Sequence, residues 1–327
     1  MTCKASDLKI IFVGGSPRSG TTLVKRILDA HSDIYCGPEF DYLPRFCELY
    51  SNMKYSLEIG RLKSYTDEHQ LREHFRNFIL AFFVPLAERF KVHCIAEKTP
   101  DNIIWFYELH EIFPEAFLVH VIRNPLDVVA SHLRLGKRTD RNQPLFHSAR
   151  LTANVWKKTV FHLTRDNDRF NDPEFRQKYL ELRYEDLVRR PGEEIARLSD
   201  HIGVPFEKSM LVSSGRGKGD ITIFDEFYTT EEYYRPIVQS SVGRWKKELS
   251  KRELFAILDI TYRELIELGY YTYEDIQRMK SCPVLDISCW YAKMTNLGLF
   301  QKLVQKAKTN PRARRIMEKL LAFSRAC

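Results

Sequence analysis

The sequence predicts an α/β fold: a P-loop-like parallel sheet flanked by helices, followed by a small helical C-terminal extension. Two observations carry that expectation. Short apolar, β-branched runs alternate with longer helical stretches, the pattern of a mostly parallel sheet with its crossovers. The first of those runs also feeds straight into a glycine loop and then an amphipathic segment, the order that builds an anion cradle.

The strand candidates are residues 8–13, 92–96, 117–122 and 179–182. Residues 66–90 and 251–269 have a helical pattern, the second ending at Gly269 as a stop signal. The longest apolar run, 78–87, is interrupted by Pro85 and is shorter than the roughly 20 residues a bilayer span needs, so it reads as part of a buried helix. The main domain is expected over 1–279. Residues 280–327 form the basic helical extension, with Asn310-Pro311 as a break and Pro311 placed to open the last helix.

The chain has 327 residues, 44% hydrophobic and 13% aromatic, enough for one large core. Its seven cysteines are odd in number and contain no C-x-x-C pair, which argues against a disulfide framework and a zinc site. The net charge of +8 fits an anionic small molecule, a nucleic acid or a membrane surface. Part of it lies at Lys302, Lys306, Lys308, Arg312, Arg314, Arg315 and Lys319. Residues 8–13 run into a glycine loop where a signal peptide would have a small-residue cleavage site, so the expected compartment is the cytoplasm.

Gly14-Gly15-Ser16-Pro17-Arg18-Ser19-Gly20-Thr21-Thr22 has the spacing of a phosphate loop from Gly15 to Thr22, but Thr21 stands where an NTPase carries lysine. Backbone N–H groups and a helix N-terminus there can converge on an anion. A bare strand-to-helix turn would need the glycines but not Arg18 and two threonines. After the run 117–122 comes Arg123-Asn124-Pro125, in which Asn124 can cap a helix opened by Pro125 and Ser131 falls on its second turn. An arginine fork at a strand tip suits a phosphate, and a nearby hydroxyl adds one more hydrogen bond.

Ser16-Pro17-Arg18-Ser19-Gly20-Thr21-Thr22-Leu23 resembles the 5′-phosphosulfate loop of the sulfotransferase superfamily, and Arg123 with Ser131 resembles its 3′-phosphate segment. The resemblance implies 3′-phosphoadenosine-5′-phosphosulfate (PAPS) as sulfonate donor, with Arg18, Ser19, Gly20, Thr21, Thr22, Arg123 and Ser131 binding it. Cys36-Gly37-Pro38-Glu39, with Pro44-Arg45 downstream, is similar to the tyrosylprotein sulfotransferases and implies Glu39 as catalytic base. Lys98 matches the lysine that supports the leaving group. Tyr184, Thr229 and Arg244 match donor contacts; Tyr233 and Tyr234 suit either adenine stacking or core packing.

Asp41 stands where those relatives carry an arginine for acidic peptides, and it should repel such acceptors. The expected partner is therefore a hydroxyl-bearing glycan or small molecule ahead of a tyrosine peptide, with no nucleic acid and no metal. Two other readings use the same residues. One is a P-loop kinase-like NTP phosphotransferase, disfavoured by Thr21; the other is a non-catalytic nucleotide-binding module that touches a membrane surface through its basic C-terminal segment.

Overall fold

The computed structural model describes residues 8–139, 144–162, 168–212 and 236–280. Two compact units divide the chain, Met1–Tyr273 and Glu274–Cys327. The basic extension expected from residue 280 lies almost wholly outside the described residues.

Five parallel strands form one sheet in the first unit: β1 (Lys9–Gly14), β2 (Ile34–Cys36), β3 (Cys94–Lys98), β4 (Phe117–Ile122) and β5 (Tyr179–Arg183), in the order β2-β3-β1-β4-β5. The four expected strands are present within a residue or two of their expected ends. β2 was not expected as a strand. It is three residues at the sheet edge, held by pairing to β3 and by the Cys36 N–H, which donates to Asp29 Oδ1 at 3.0 Å.

Side-chain alternation along β1 shows why its sequence is apolar throughout. Ile10 and Phe12 enter the core on one face, and Ile11 and Val13 enter the core on the other. Helices α1 (Thr21–Asp29), α2 (Leu43–Glu58), α3 (Glu68–Phe90), α4 (Phe106–Ile112) and α5 (Pro125–Thr139) supply the covering layers in the first part of the chain. Fully burying each large aliphatic or aromatic side chain contributes about 1.5–3 kcal/mol, so these two apolar layers outweigh any single polar contact.

In α3 the capping box of Asp67 and Gln70 fixes the start, with the Gln70 N–H donating to Asp67 Oδ1 at 2.8 Å. Leu71, Phe75, Ile79 and Phe83 recur every four residues and are buried. That spacing turns Phe78 and Phe82 outward, 47% and 44% exposed, so the apolar run 78–87 is only half buried, contrary to the sequence expectation. Among the described residues no helix is long and apolar enough to cross a membrane.

At the start of α5 the side chain of Asn124 accepts from the Leu126 N–H at 3.0 Å, as its position before Pro125 led one to expect. Its amide also donates to Tyr271 Oη at 3.1 Å, tying the helix start to a residue far along the chain. Asn124→Ala should therefore lose about 1–2 kcal/mol of stability from the missing cap and hydrogen bond. Urea unfolding should show a lower midpoint at unchanged slope; an unchanged midpoint would show that water replaces both contacts.

Candidate functional site

β1 ends at Gly14 and the chain turns sharply into α1. Arg18 lies in the left-handed region at φ 72°, and Gly20, the residue before α1, has φ 108°. Left-handed residues between ordinary ones turn successive N–H groups toward one side, the geometry of an anion nest. The loop is packed against its neighbours too closely for side chains. A Cβ on Gly15 would sit 2.4 Å from the Val121 carbonyl oxygen, and one on Gly20 would sit 2.4 Å from Tyr184 Cδ2. The Gly15 N–H donates to the Pro100 carbonyl at 3.0 Å, which stitches the loop to the segment after β3.

Arg18 and Ser131, 113 residues apart, meet through the Arg18 Nε–H, which donates to Ser131 Oγ at 3.2 Å. The Arg123 guanidinium stacks 4.2 Å from the centre of the Tyr184 ring. It donates to the carbonyls of Arg18 at 3.2 Å and Ser241 at 2.7 Å, and Trp156 Nε1–H holds its own carbonyl at 2.8 Å. Asp127 accepts from the N–H groups of Gly243 at 2.7 Å and Trp245 at 3.0 Å, and thereby sets Arg244 between them.

One cleft is lined by Arg18, Gly20, Thr22, Arg26, Arg123, Ser131, Arg134, Tyr184 and Arg244, among others, and among the described residues no carboxylate lines it. Burial, and after it the charge of Arg244, pushes the Arg134 guanidinium below its ordinary pKa, while Glu248 accepts from both arginines. Such a concentration of cations calls for a multiply charged anion.

The buried hydroxyls of Ser16 and Ser19 and the Nε of Arg123 find no hydrogen-bond partner among the described residues. Unsatisfied buried donors at an arginine-lined loop fit phosphate and sulfonate oxygens. Ser19 and Thr21 are buried and do not line the cleft. Thr229, Tyr233 and Tyr234 lie outside the described residues.

On the other side of β1, Lys98 is the last residue of β3 and pairs in register with Val13. Its buried ammonium donates to Glu39 Oε1, so the two residues expected separately as base and leaving-group lysine form one ion pair. The Glu39 side chain remains 30% exposed while that of Lys98 is 2% exposed, so the carboxylate is reachable from solvent and the lysine is not. Asp41 and Asp101 are both raised above the usual carboxylate range, chiefly by burial and then by the negative charge of Glu39. Arg45 is exposed and pairs with Glu48 at 3.0 Å, and its charge also acts on Asp101, lowering it against the burial that raises it.

Each strand therefore delivers one component from its carboxyl end. Across the sheet they run Glu39 after β2, Lys98 at the end of β3, the loop after β1, Arg123 after β4 and Tyr184 after β5. Ligands of open parallel sheets bind at this edge, where strand order reverses. Sequence reasoning missed the positioning roles of Asp127 and Trp156, whose contacts join residues 33 to 118 apart.

The fold and site define an α/β protein with an anion-binding cleft at the carboxyl edge of its sheet. The chain belongs to the sulfotransferase family, whose model matches residues 11–208. As a member it transfers sulfonate from PAPS to an acceptor hydroxyl, and the kinase-like and non-catalytic readings fall away. It is 26% identical over 274 residues to the protein-tyrosine sulfotransferase 1 of Danio rerio, covering 81% of this chain and 73% of that one. With protein-tyrosine sulfotransferase A of Caenorhabditis elegans it shares 25% over 263 residues, 80% of this chain and 67% of the other. The sulfotransferase domain from the curacin biosynthetic pathway has the same fold, with a TM-score of 0.56 at 20% identity over 81% of this chain and 98% of that domain.

Gly20→Ala tests the loop geometry. The new Cβ would collide with Tyr184 at a left-handed position, and strain of about 1–3 kcal/mol should weaken adenosine 3′,5′-bisphosphate roughly tenfold in a calorimetric titration, at about 1.4 kcal/mol per decade. Wild-type affinity would mean that the loop and Tyr184 do not form the donor site.

Proposed function

We propose that the arginine-lined cleft binds the donor nucleotide, that Lys98 and Arg18 stabilise the departing phosphate, and that Glu39 is the general base. The observation that carries this reading is the Lys98–Glu39 pair one strand away from the phosphate loop. It puts a solvent-reachable carboxylate and a buried cation side by side at the carboxyl edge of the sheet.

The step balances simply. The acceptor hydroxyl gives its proton to the Glu39 carboxylate, its oxygen forms a bond to sulfur, and the bond from sulfur to the bridging oxygen breaks. The electron pair stays on the 5′-phosphate, leaving a sulfate ester and adenosine 3′,5′-bisphosphate. Lys98 Nζ already engages one Glu39 oxygen, so the second oxygen is the one to take the proton. A fixed ammonium beside the reaction also favours negative charge as it develops on the leaving oxygen. Arg18, Arg123 and Lys98 supply the positive charge that a metal ion supplies in NTPases, so the reaction is proposed to proceed without one.

The relatives are named for protein tyrosine as acceptor. Here Asp41 and Asp101 flank the base, and Arg45 is engaged by Glu48 at the surface. That local field disfavours acidic neighbours on the acceptor, so the proposed acceptor is a neutral glycan or small-molecule hydroxyl ahead of an acidic tyrosine peptide. Transfer of labelled sulfonate to a panel of neutral, acidic and basic hydroxyl compounds tests this, and a clear preference for acidic tyrosine peptides would overturn it.

Two substitutions test the assigned roles. Glu39→Gln keeps the shape but cannot accept a proton, so kcat should fall about 100-fold to 10,000-fold at unchanged donor affinity; a loss confined to KM would make Glu39 an acceptor-binding residue. Arg123→Ala should weaken adenosine 3′,5′-bisphosphate about tenfold or more while leaving adenosine 5′-phosphate much less affected. Equal weakening of both ligands would remove the 3′-phosphate assignment.

A further inference from the structure

Glu97 precedes Lys98 on β3 and is buried, yet it takes no part in the transfer described above. Its carboxylate accepts hydrogen bonds from three directions. Oε1 receives the Phe40 N–H at 3.0 Å and the Thr99 hydroxyl at 2.7 Å, and Oε2 receives the Asn102 amide. The same Asn102 amide donates to the Val13 carbonyl at 3.2 Å, at the end of β1 and just before the phosphate loop. The Phe40 N–H belongs to the peptide unit that begins at Glu39. One buried carboxylate thus ties the backbone carrying the base to the turn after Lys98 and to the root of the donor loop.

We propose that Glu97 is a positioning residue for sulfonate transfer, and that its ionised form holds the Glu39–Phe40 peptide in register with Lys98 and the phosphate loop. This rests on the reading of Glu39 as base. The Phe40 N–H and the Asn102 NH2 can only donate, one to each oxygen, and the ionised group offers them only acceptors. The Thr99 hydroxyl can turn to accept the O–H of a protonated Oε1, but a neutral carboxyl holds the Phe40 and Asn102 donors less strongly than a carboxylate does.

Burial raises three carboxyls of this cluster, Asp41, Asp101 and Glu97, above their ordinary values. It raises Glu97 to about 7, opposed by the Asn102, Phe40 and Thr99 hydrogen bonds and by the Lys98 charge. From β2 the Cys36 thiol, and from α2 the Cys47 thiol, face the same region. Both are pushed up by burial and stay neutral there. Asn102, Thr99 and the Val13 carbonyl do not titrate.

The experiment compares kcat at saturating acceptor from pH 5.5 to 8.5 in the wild type and in Glu39→Gln, Glu97→Gln and Thr99→Val, with a bisphosphate titration on each. The wild-type rate should rise with pH through an inflection near 7. Glu97→Gln should bind the bisphosphate normally, lose about tenfold in kcat and lose that inflection. Thr99→Val removes one donor to the carboxylate, so it should move the inflection upward by roughly one pH unit.

Thr99→Val also decides the matter if Glu97→Gln fails to fold. An inflection that stays near 7 in both variants, or wild-type kcat in Glu97→Gln, would overturn the proposal. If the inflection disappears in Glu39→Gln but survives in Glu97→Gln, it belongs to the base itself and the positioning role is wrong. Wild-type kcat in Glu39→Gln, by contrast, would sink the assignment of the base while the Glu97 variants still report on the network.

Discussion

The centre of the sheet is where this structure is most constrained. β1 is hydrogen-bonded on both sides, to β3 and β4, and at Gly14 and Gly15 the chain passes so close to Ile103 and to the Val121 carbonyl that no side chain fits. That close passage lets the Gly15 N–H reach Pro100 and holds the glycine loop between two other strand ends. The loop is shaped as much by its neighbours as by its own sequence. Arg18 holds a left-handed conformation that costs a non-glycine residue free energy, and the packing around it must supply the difference.

Much of this was legible in the sequence because the signals were local. The run at β1, the glycine loop, and the order Arg123-Asn124-Pro125 each state their structure within a few residues, and Ser131 follows from helix periodicity. The acceptor side was harder to read. β2 is too short to show a period, and it forms because β3 and Asp29 hold it. Glu97 looks like an ordinary strand-end charge beside Lys98, and only the fold shows that it is buried and that its partners come from the β2–α2 loop and the turn after β3. The ion pair of Glu39 with Lys98, separated by 59 residues, is invisible for the same reason. Phe78 and Phe82 were misread because composition reports hydrophobicity without saying which helix face meets the core.

Electrostatically the edge of the sheet is divided. Over β1, β4 and β5 the cleft is lined by arginines held by backbone carbonyls, by stacking on Tyr184 and by Glu248. Over β2 and β3 they are carboxylates, with Lys98 as the buried cation among them. Burying charge is costly unless it is paired and hydrogen-bonded, and both halves meet that condition through contacts that cross the sheet. The division is the one the proposed reaction needs: an anionic donor on one side, and on the other a hydroxyl that has to lose a proton.

The edge position of β2 also bears on how such a protein can diversify. A central strand cannot change without disturbing two neighbours, whereas β2 pairs only with β3 and is followed at once by the segment carrying Glu39 and Asp41. Changes in the segment beyond Phe40 leave the arginine cleft and the Glu39–Lys98 pair in place. A lineage built on this sheet can therefore keep one donor and explore many acceptors, with Glu39 and Phe40 held and the stretch from there to α3 free to change.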